Sequence, residues 1–241
     1  MNQEQYNMIV RGGVPDWNIY RNEHPDKHID LGNSDFDGML LFRINLKNAN
    51  LELSSFEYTD FSHAHAEKAC FIKANLKNSV AYFLYASEAR FYDAIMYNAQ
   101  WRFAVLNHAE LSNLSAQDSI FSGSSMHHAQ CYCSDFSRAE LEQVNAFYTE
   151  FLDGKYEHTN FNGSNLINTS FANSYMEKAR LEYCDLRDAS FKKAMLRKAS
   201  FRYSDMRNVD FTGADLTEVD LRRANITDAR FDKAKLKDVI W

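Results

Sequence analysis

Three histidines, His108, His127 and His128, are the side chains in this 241-residue chain best suited to chemistry. Two or three imidazoles near one point are the start of a tetrahedral zinc site. No fourth ligand is apparent, so the sequence reads as a histidine-bearing edge with no metal and no other cofactor. A second set, Phe42, Tyr82, Phe83, Arg102 and Phe103, combines aromatic rings with arginine, the residue types that anchor protein interfaces. The motifs that carry catalysis are missing: there is no G-x-S-x-G, no G-x-x-x-x-G-K-(S/T), no H-E-x-x-H and no Rossmann glycine pattern. Aspartates are plentiful, but they recur where turns are needed and are expected to accept backbone hydrogen bonds there. The chain is not expected to be an enzyme.

Composition narrows the classes further. A net charge of −6 and a pI near 5.8 argue against a general nucleic-acid binder, which needs a basic surplus. With no apolar run long enough to cross a membrane and no basic–apolar–small pattern at the start, a transmembrane or secreted form is not expected. Cys70, Cys131, Cys133 and Cys184 form neither a C-x-x-C pair nor a dense disulfide pattern, which suggests a reducing cytoplasm.

A five-residue repeat must position these side chains. From Leu31 to Trp241 the 43 positions five apart are all Leu, Phe, Ile, Met, Trp, Tyr, Cys or Ala, and 29 of them are Leu or Phe. At 45% hydrophobic content chance gives a run of that length with probability on the order of 10⁻¹⁵. Two residues before each of these centres, from Ser34 to Val239, the residue is small at all sites but Met39, Ile44, Leu84 and Leu114. Period five is neither helical nor that of a plain strand. A chain with two inward residues in every five must keep turning about an axis. Asn or Gly holds 12 of the 42 sites two after a centre, where a tight turn can demand positive φ.

Ala49-Asn50-Leu51, Ala74-Asn75-Leu76, Ala214-Asp215-Leu216 and Ala224-Asn225-Ile226 carry a resemblance to the pentapeptide repeat family, whose consensus is A-(D/N)-L-x-x. The resemblance covers residues 29–241. It implies an all-β right-handed quadrilateral β-helix, a solenoid of about ten coils with four repeats in each. Residues 1–28 do not keep the repeat and divide off as a short N-terminal helical cap. Helical turns are expected at 4–10 and 15–21, separated by Gly12-Gly13 and ended by His24-Pro25. Trp17-Asn18, Arg21 and Pro25-Asp26 look like the lead-in of some family members.

With twenty residues per coil, side chains twenty apart stack. Phe151, Phe171, Phe191, Phe211 and Phe231 should form a ladder, and His108 should lie over His128. Cys131 points inward and Cys133 outward, so the two do not chelate together. Some large residues at small sites are followed by a small centre, Leu84 by Ala86, Leu114 by Ala116 and Val144 by Ala146, and Trp101 lies one coil from Ala81. Close packing requires such exchanges. Ala64 with Ala66 shows none, and the coil holding them is expected to be locally the least stable.

On the outside, Phe42, Tyr82, Phe83 and Phe103 fall one or two after centres on the same expected face, with Arg43, His63 and Arg102 beside them. Residues 178–207 hold nine bases against four acids, a girdle over all four sides. The last coil has nothing after it, so its open edge predicts a twofold homodimer centred on Val239, Ile240 and Trp241. The function expected from these features is a rigid protein-binding scaffold or regulator. The family resemblance implies an alternative, a DNA-mimicking ligand of DNA gyrase or topoisomerase IV that protects against fluoroquinolones or toxins. Neither reading involves direct nucleic-acid or membrane binding.

Overall fold

The repeat becomes a ladder with a period of twenty. The computed structural model describes residues 1–241, and its pairings run from Asp30↔Asn50 to Asp220↔Ile240, each one parallel and twenty residues apart. Four repeats therefore close one coil of a quadrilateral β-helix. Successive coils are joined by bonds such as Leu31 N–H to Asn50 O at 2.8 Å and Asn50 N–H to Ile29 O at 2.9 Å. Each side pairs through a single residue, because the chain turns again after five.

At each corner the carbonyl of a centre accepts from the N–H three residues on, directly in most turns, as Phe36 does from Met39 at 3.1 Å. The third residue of that turn is left-handed at all 42 corners, as a type II turn requires. Asn and Gly are only the easiest occupants: Phe83, Phe103, Tyr148 and Lys193 adopt the same region at φ 56–59°. For a residue with a Cβ this costs about 1–2 kcal/mol, offset by the turn and by stacking on the corner below.

Aspartate and asparagine serve the turns as expected. Asp135 accepts the Ser137 N–H at 3.0 Å, Asp210 that of Thr212 at 2.9 Å and Asp220 that of Arg222 at 3.1 Å. Serine at the small sites has a role the repeat alone does not reveal. Ser134 Oγ accepts the Leu114 N–H at 3.2 Å and donates to Leu111 O at 2.6 Å, closing a turn in the neighbouring coil. Ser204 does the same for Cys184 and Leu181.

The interior is a single column. Every centre from Leu31 to Leu221 is at most 3% exposed. The phenylalanines from 151 to 231 stack at centroid distances of 4.8, 5.1, 5.3 and 5.4 Å. Leu84, Ala86, Leu114 and Ala116 are all buried, consistent with large and small side chains having exchanged places. The twenty-residue register corrects the reading that nothing compensates Ala64. It lies between Ile44 and Leu84 in one column, and all three are 0% exposed. The compensation runs along the axis, not within the repeat.

The N-terminal segment covers the first coil. Helix α1 (Gln3–Asn7) passes through a π-helical turn (Met8–Gly12) into α2 (Gly13–Glu23), with the bend at Gly13, φ 76°. The second helix is thus longer at both ends than the 15–21 expected. Its side chains take the place of a further strand on the open edge. Trp17 Nε1 donates to Asn45 O at 2.8 Å, Arg21 donates to Lys47 O at 2.8 Å, and Asn18 both donates to Arg43 O and accepts from Asn45 N–H. Gln5 does likewise with His28 O and Asp30 N–H, so the free edge is blunted. No helix is long and apolar enough to cross a membrane.

Candidate functional site

One corner gathers the aromatic residues. It joins the side bearing Leu40, Asp60, Val80 and Gln100 to the side bearing Asn45, His65, Tyr85 and Val105. Because coils stack in register, turn residues twenty apart lie ring on ring. Phe42 meets His63 edge-on at 5.1 Å, His63 stacks on Phe83 at 5.0 Å, and Phe83 stacks on Phe103 at 5.0 Å. Phe103 ends the column against Gly123, where a Cβ would lie 2.5 Å from the ring. Phe42, Phe83 and Phe103 remain 45–49% exposed. Such stacked rings are worth about 0.5–1.5 kcal/mol each beyond the area they bury.

The other two predicted residues differ in kind. Tyr82 is half-buried and pinned, its hydroxyl donating to Gln100 Oε1 at 2.7 Å and its N–H to Ser62 Oγ at 3.1 Å. It is a fixed wall beside the column. Arg102 is exposed beside Phe103. Arg43 lies over the Phe42 ring, 5.1 Å from its centroid.

Sequence reasoning missed two neighbours. Leu40 is 80% exposed, more than any other large apolar side chain, and it adjoins Phe42. Its position between a small site and a centre carries no periodic signal. Tyr85 stacks on His65 at 4.9 Å, extending the aromatic surface onto the next side. A separate exposed group, Tyr92, Ile95 and Tyr97, lies along the side bearing Asn75 and Ile95, which does not border this corner.

The histidine edge stacks as the spacing predicts. His108 and His128 are 5.0 Å apart with planes 1° from parallel, His128 continues onto Tyr148 at 5.1 Å, and His127 lies on Phe147 at 4.9 Å. Rings stacked face to face do not converge on a shared ion, and no three His, Cys, Asp or Glu side chains are grouped as a metal would need. Burial, and then the neighbouring His108 and His128, lower the His127 pKa below the usual imidazole value. Cys131 is buried and Cys133 exposed, as their positions imply. Burial pushes the Cys184 thiol up to about 12, which leaves it inert.

The basic girdle is largely paired. Arg187 and Arg207 each reach the aspartate two residues earlier at 2.6 Å, and Lys192 reaches Asp210 at 3.3 Å. The Arg207 guanidinium holds the Asp205 carboxyl below its ordinary value. Surface pairs of this type contribute at most about 1 kcal/mol each. Arg180, Lys193 and Arg197 are the belt's unpaired bases. In the last coil, Ala224, Ile226, Phe231 and Val239 are only partly buried, while Leu236, Ile240 and Trp241 are 41–59% exposed. Trp241 leans edge-on against Phe231 at 5.9 Å.

Comparison with known proteins follows this architecture. A model described as a pentapeptide repeat region matches residues 174–241, and one of pentapeptide repeats in eight copies matches 44–80 and 87–123. A comparison with curated protein sequences finds no match. Among solved structures, HetL, a pentapeptide repeat protein involved in heterocyst differentiation regulation from the cyanobacterium Nostoc, is 22% identical. The alignment covers 92% of each chain, with a TM-score of 0.40. Full-length QnrB1, a plasmid-mediated fluoroquinolone resistance protein, is 16% identical over 85% of this chain and 92% of its own, with a TM-score of 0.43. At these identities neither protein indicates what this chain binds.

Proposed function

The chain belongs to the pentapeptide repeat family, and from that premise we propose that it is a non-catalytic protein-binding rod. Its docking surface is the corner formed by Phe42, Tyr82, Phe83, Arg102 and Phe103. The observation that carries this reading is the exposed column of Phe42, Phe83 and Phe103, held in place by His63 and flanked by arginines. Rings already locked by stacking lose little freedom on binding, which favours affinity. Aromatic and arginine side chains are also the groups that dominate binding energy when a partner covers them. A cytoplasmic setting is part of the proposal, supported by four free cysteines.

The test is affinity capture from the native cytosol by the immobilised rod. The Phe42→Ser, Phe83→Ser, Phe103→Ser triple variant should lose the captured protein, and a Tyr92→Ser, Tyr97→Ser variant of the side bearing Asn75 and Ile95 should keep it. Equal retention by both would discard the corner as the site.

A narrower reading takes the partner to be DNA gyrase or topoisomerase IV, with the rod mimicking duplex DNA. The net charge of −6 supports it, whereas the unneutralised Arg43 and Arg102 at the exposed corner weigh against it. Supercoiling by purified gyrase that persists under ciprofloxacin when the rod is added is the result this reading requires. We also propose self-association through the apolar residues that the 222–241 coil leaves open, with Val239, Ile240 and Trp241 at the contact. Light scattering at micromolar concentration should give twice the mass of one chain. Trp241→Ser should shift it toward one, and a single-chain mass for the parent would sink the idea.

A further inference from the structure

The cap helix does more than close the first coil. Between α2 and the side bearing Asn45 and Tyr85 lies a cleft of about 440 Å³, and hydrogen-bond donors line it. Arg43 forms no ion pair; its guanidinium is held over the Phe42 ring instead. His63 is fixed between Phe42 and Phe83 with neither ring nitrogen bonded within the protein. Asn45 gives its side-chain oxygen to the Lys47 N–H at 3.2 Å, which leaves its NH₂ group free. Asn22 and the Tyr85 hydroxyl likewise have no partner within the protein. Asn18, bonded at both ends to the first coil, holds the helical wall in position.

No acid lines the cleft. Glu67 is bound by Lys47 at 3.1 Å and by His65 at 3.3 Å. On the same helix Arg21 is only 5% exposed, has no carboxylate partner, and donates to carbonyls of Lys47 and Lys27. In a chain of net charge −6, this partly enclosed site presents an arginine free of any ion pair, the unbonded amide groups of Asn22 and Asn45 and the His63 imidazole, with no carboxylate on its wall. Guanidinium and N–H groups gathered in this way are how proteins hold carboxylates, through charge-assisted bonds about twice as strong as neutral ones.

We propose that this cleft receives a carboxylate from an acidic segment of the partner protein, whose apolar side chains then lie along the adjoining Phe83–Phe103 column. The inference rests on the docking role proposed above for that column. It adds the partner's chemistry: acidic residues followed by apolar ones, with the acids nearest the cap.

The test is an NMR titration of the full chain with the blocked peptide Ac-Glu-Glu-Leu-Phe-NH₂ and with its Gln-Gln counterpart. The Glu peptide should shift the Arg43 Nε–H and the Asn22 and Asn45 side-chain amides saturably. The Gln peptide, and the Glu peptide against Arg43→Gln, should bind about tenfold or more weakly. Gln143 occupies the equivalent turn position elsewhere at φ 56°, so this variant keeps the corner. Equal affinity for the two peptides, an unchanged Arg43→Gln, or no saturable shift up to about 10 mM overturns the proposal. Inorganic phosphate binding as tightly as the Glu peptide would make this a small-anion site and also overturn it. Capture lost in the Phe→Ser triple variant but kept by Arg43→Gln would sink the cleft while leaving the docking corner standing.

Discussion

Replacing Trp101 by alanine is expected to destabilise the middle of the rod by about 3–5 kcal/mol, the range for emptying a buried aromatic site. The indole is 0% exposed and lies 5.6 Å from Phe61, 5.4 Å from Phe91 and 6.0 Å from Phe121. Phe61 belongs to the coil two below. The ring therefore reaches past Ala81, the centre between them, and fills the volume that alanine leaves. Its Nε1 donates to Ser79 Oγ at 3.0 Å in the same intervening coil. Removal opens two coils at once, and a solenoid whose contacts are all short-range along its axis has no distant contacts to compensate. The check is the urea midpoint of Trp101→Ala followed by circular dichroism, with amide exchange over 61–121. The double variant Ala81→Leu, Trp101→Leu restores an ordinary column and should recover most of the loss. A deficit below about 1 kcal/mol for the single variant would show that the site collapses or that Trp101 is not the filler.

Trp101 also shows what could be read in advance and what could not. Period five, the inward pair and the turn site follow from side-chain volume and backbone torsion. These are local requirements, repeated 43 times, so they leave a mark on every repeat. The relation of Trp101 to Ala81 is visible once a coil length of twenty is assumed, and that number comes from the family resemblance. Ala64 has support of the same kind, from Ile44 and Leu84 one coil to either side, and it too shows only in the twenty-residue register. The same limit governs the candidate site. Phe42, Phe83 and Phe103 stand out because an aromatic ring at an outward turn position departs from the pattern. Leu40 breaks no rule at its position, and Asn18 and Asn22 sit in a segment with no repeat to depart from. The cleft exists only where the cap and the rod meet, and no periodicity in either could announce it. Corner stacking explains why left-handed turn sites hold Phe and Tyr as readily as Asn. Each ring rests on the one below, so the ladder that stiffens the rod also displays the surface it presents.

Gly154→Ala is expected to cost about 1–3 kcal/mol or more, although alanine is the commonest residue at small sites in this chain. The glycine is not there for its backbone freedom. Residue 154 is the small member of the repeat centred on Tyr156, the one tyrosine among the 43 centres. That phenol is fully buried, and its hydroxyl turns back toward Cys131 O at 3.4 Å through the space a small side chain would fill. A Cβ on residue 154 would lie 2.5 Å from the Tyr156 Oη, 2.7 Å from its Cε2 and 2.8 Å from the carbonyl oxygen of Ser134. The ring is hemmed in by Phe151, Phe161 and Phe171 at 5.5–6.0 Å, so it cannot swing aside without disturbing the phenylalanine ladder. A double-mutant cycle separates the causes. Tyr156→Leu removes both clashing ring atoms, so Gly154→Ala should be much less costly in that background. Tyr156→Phe keeps Cε2 in place and should relieve little. If alanine at 154 costs the same with Tyr, Phe and Leu at 156, the strain lies against the Ser134 carbonyl, and the glycine answers to the neighbouring coil instead of to its own centre.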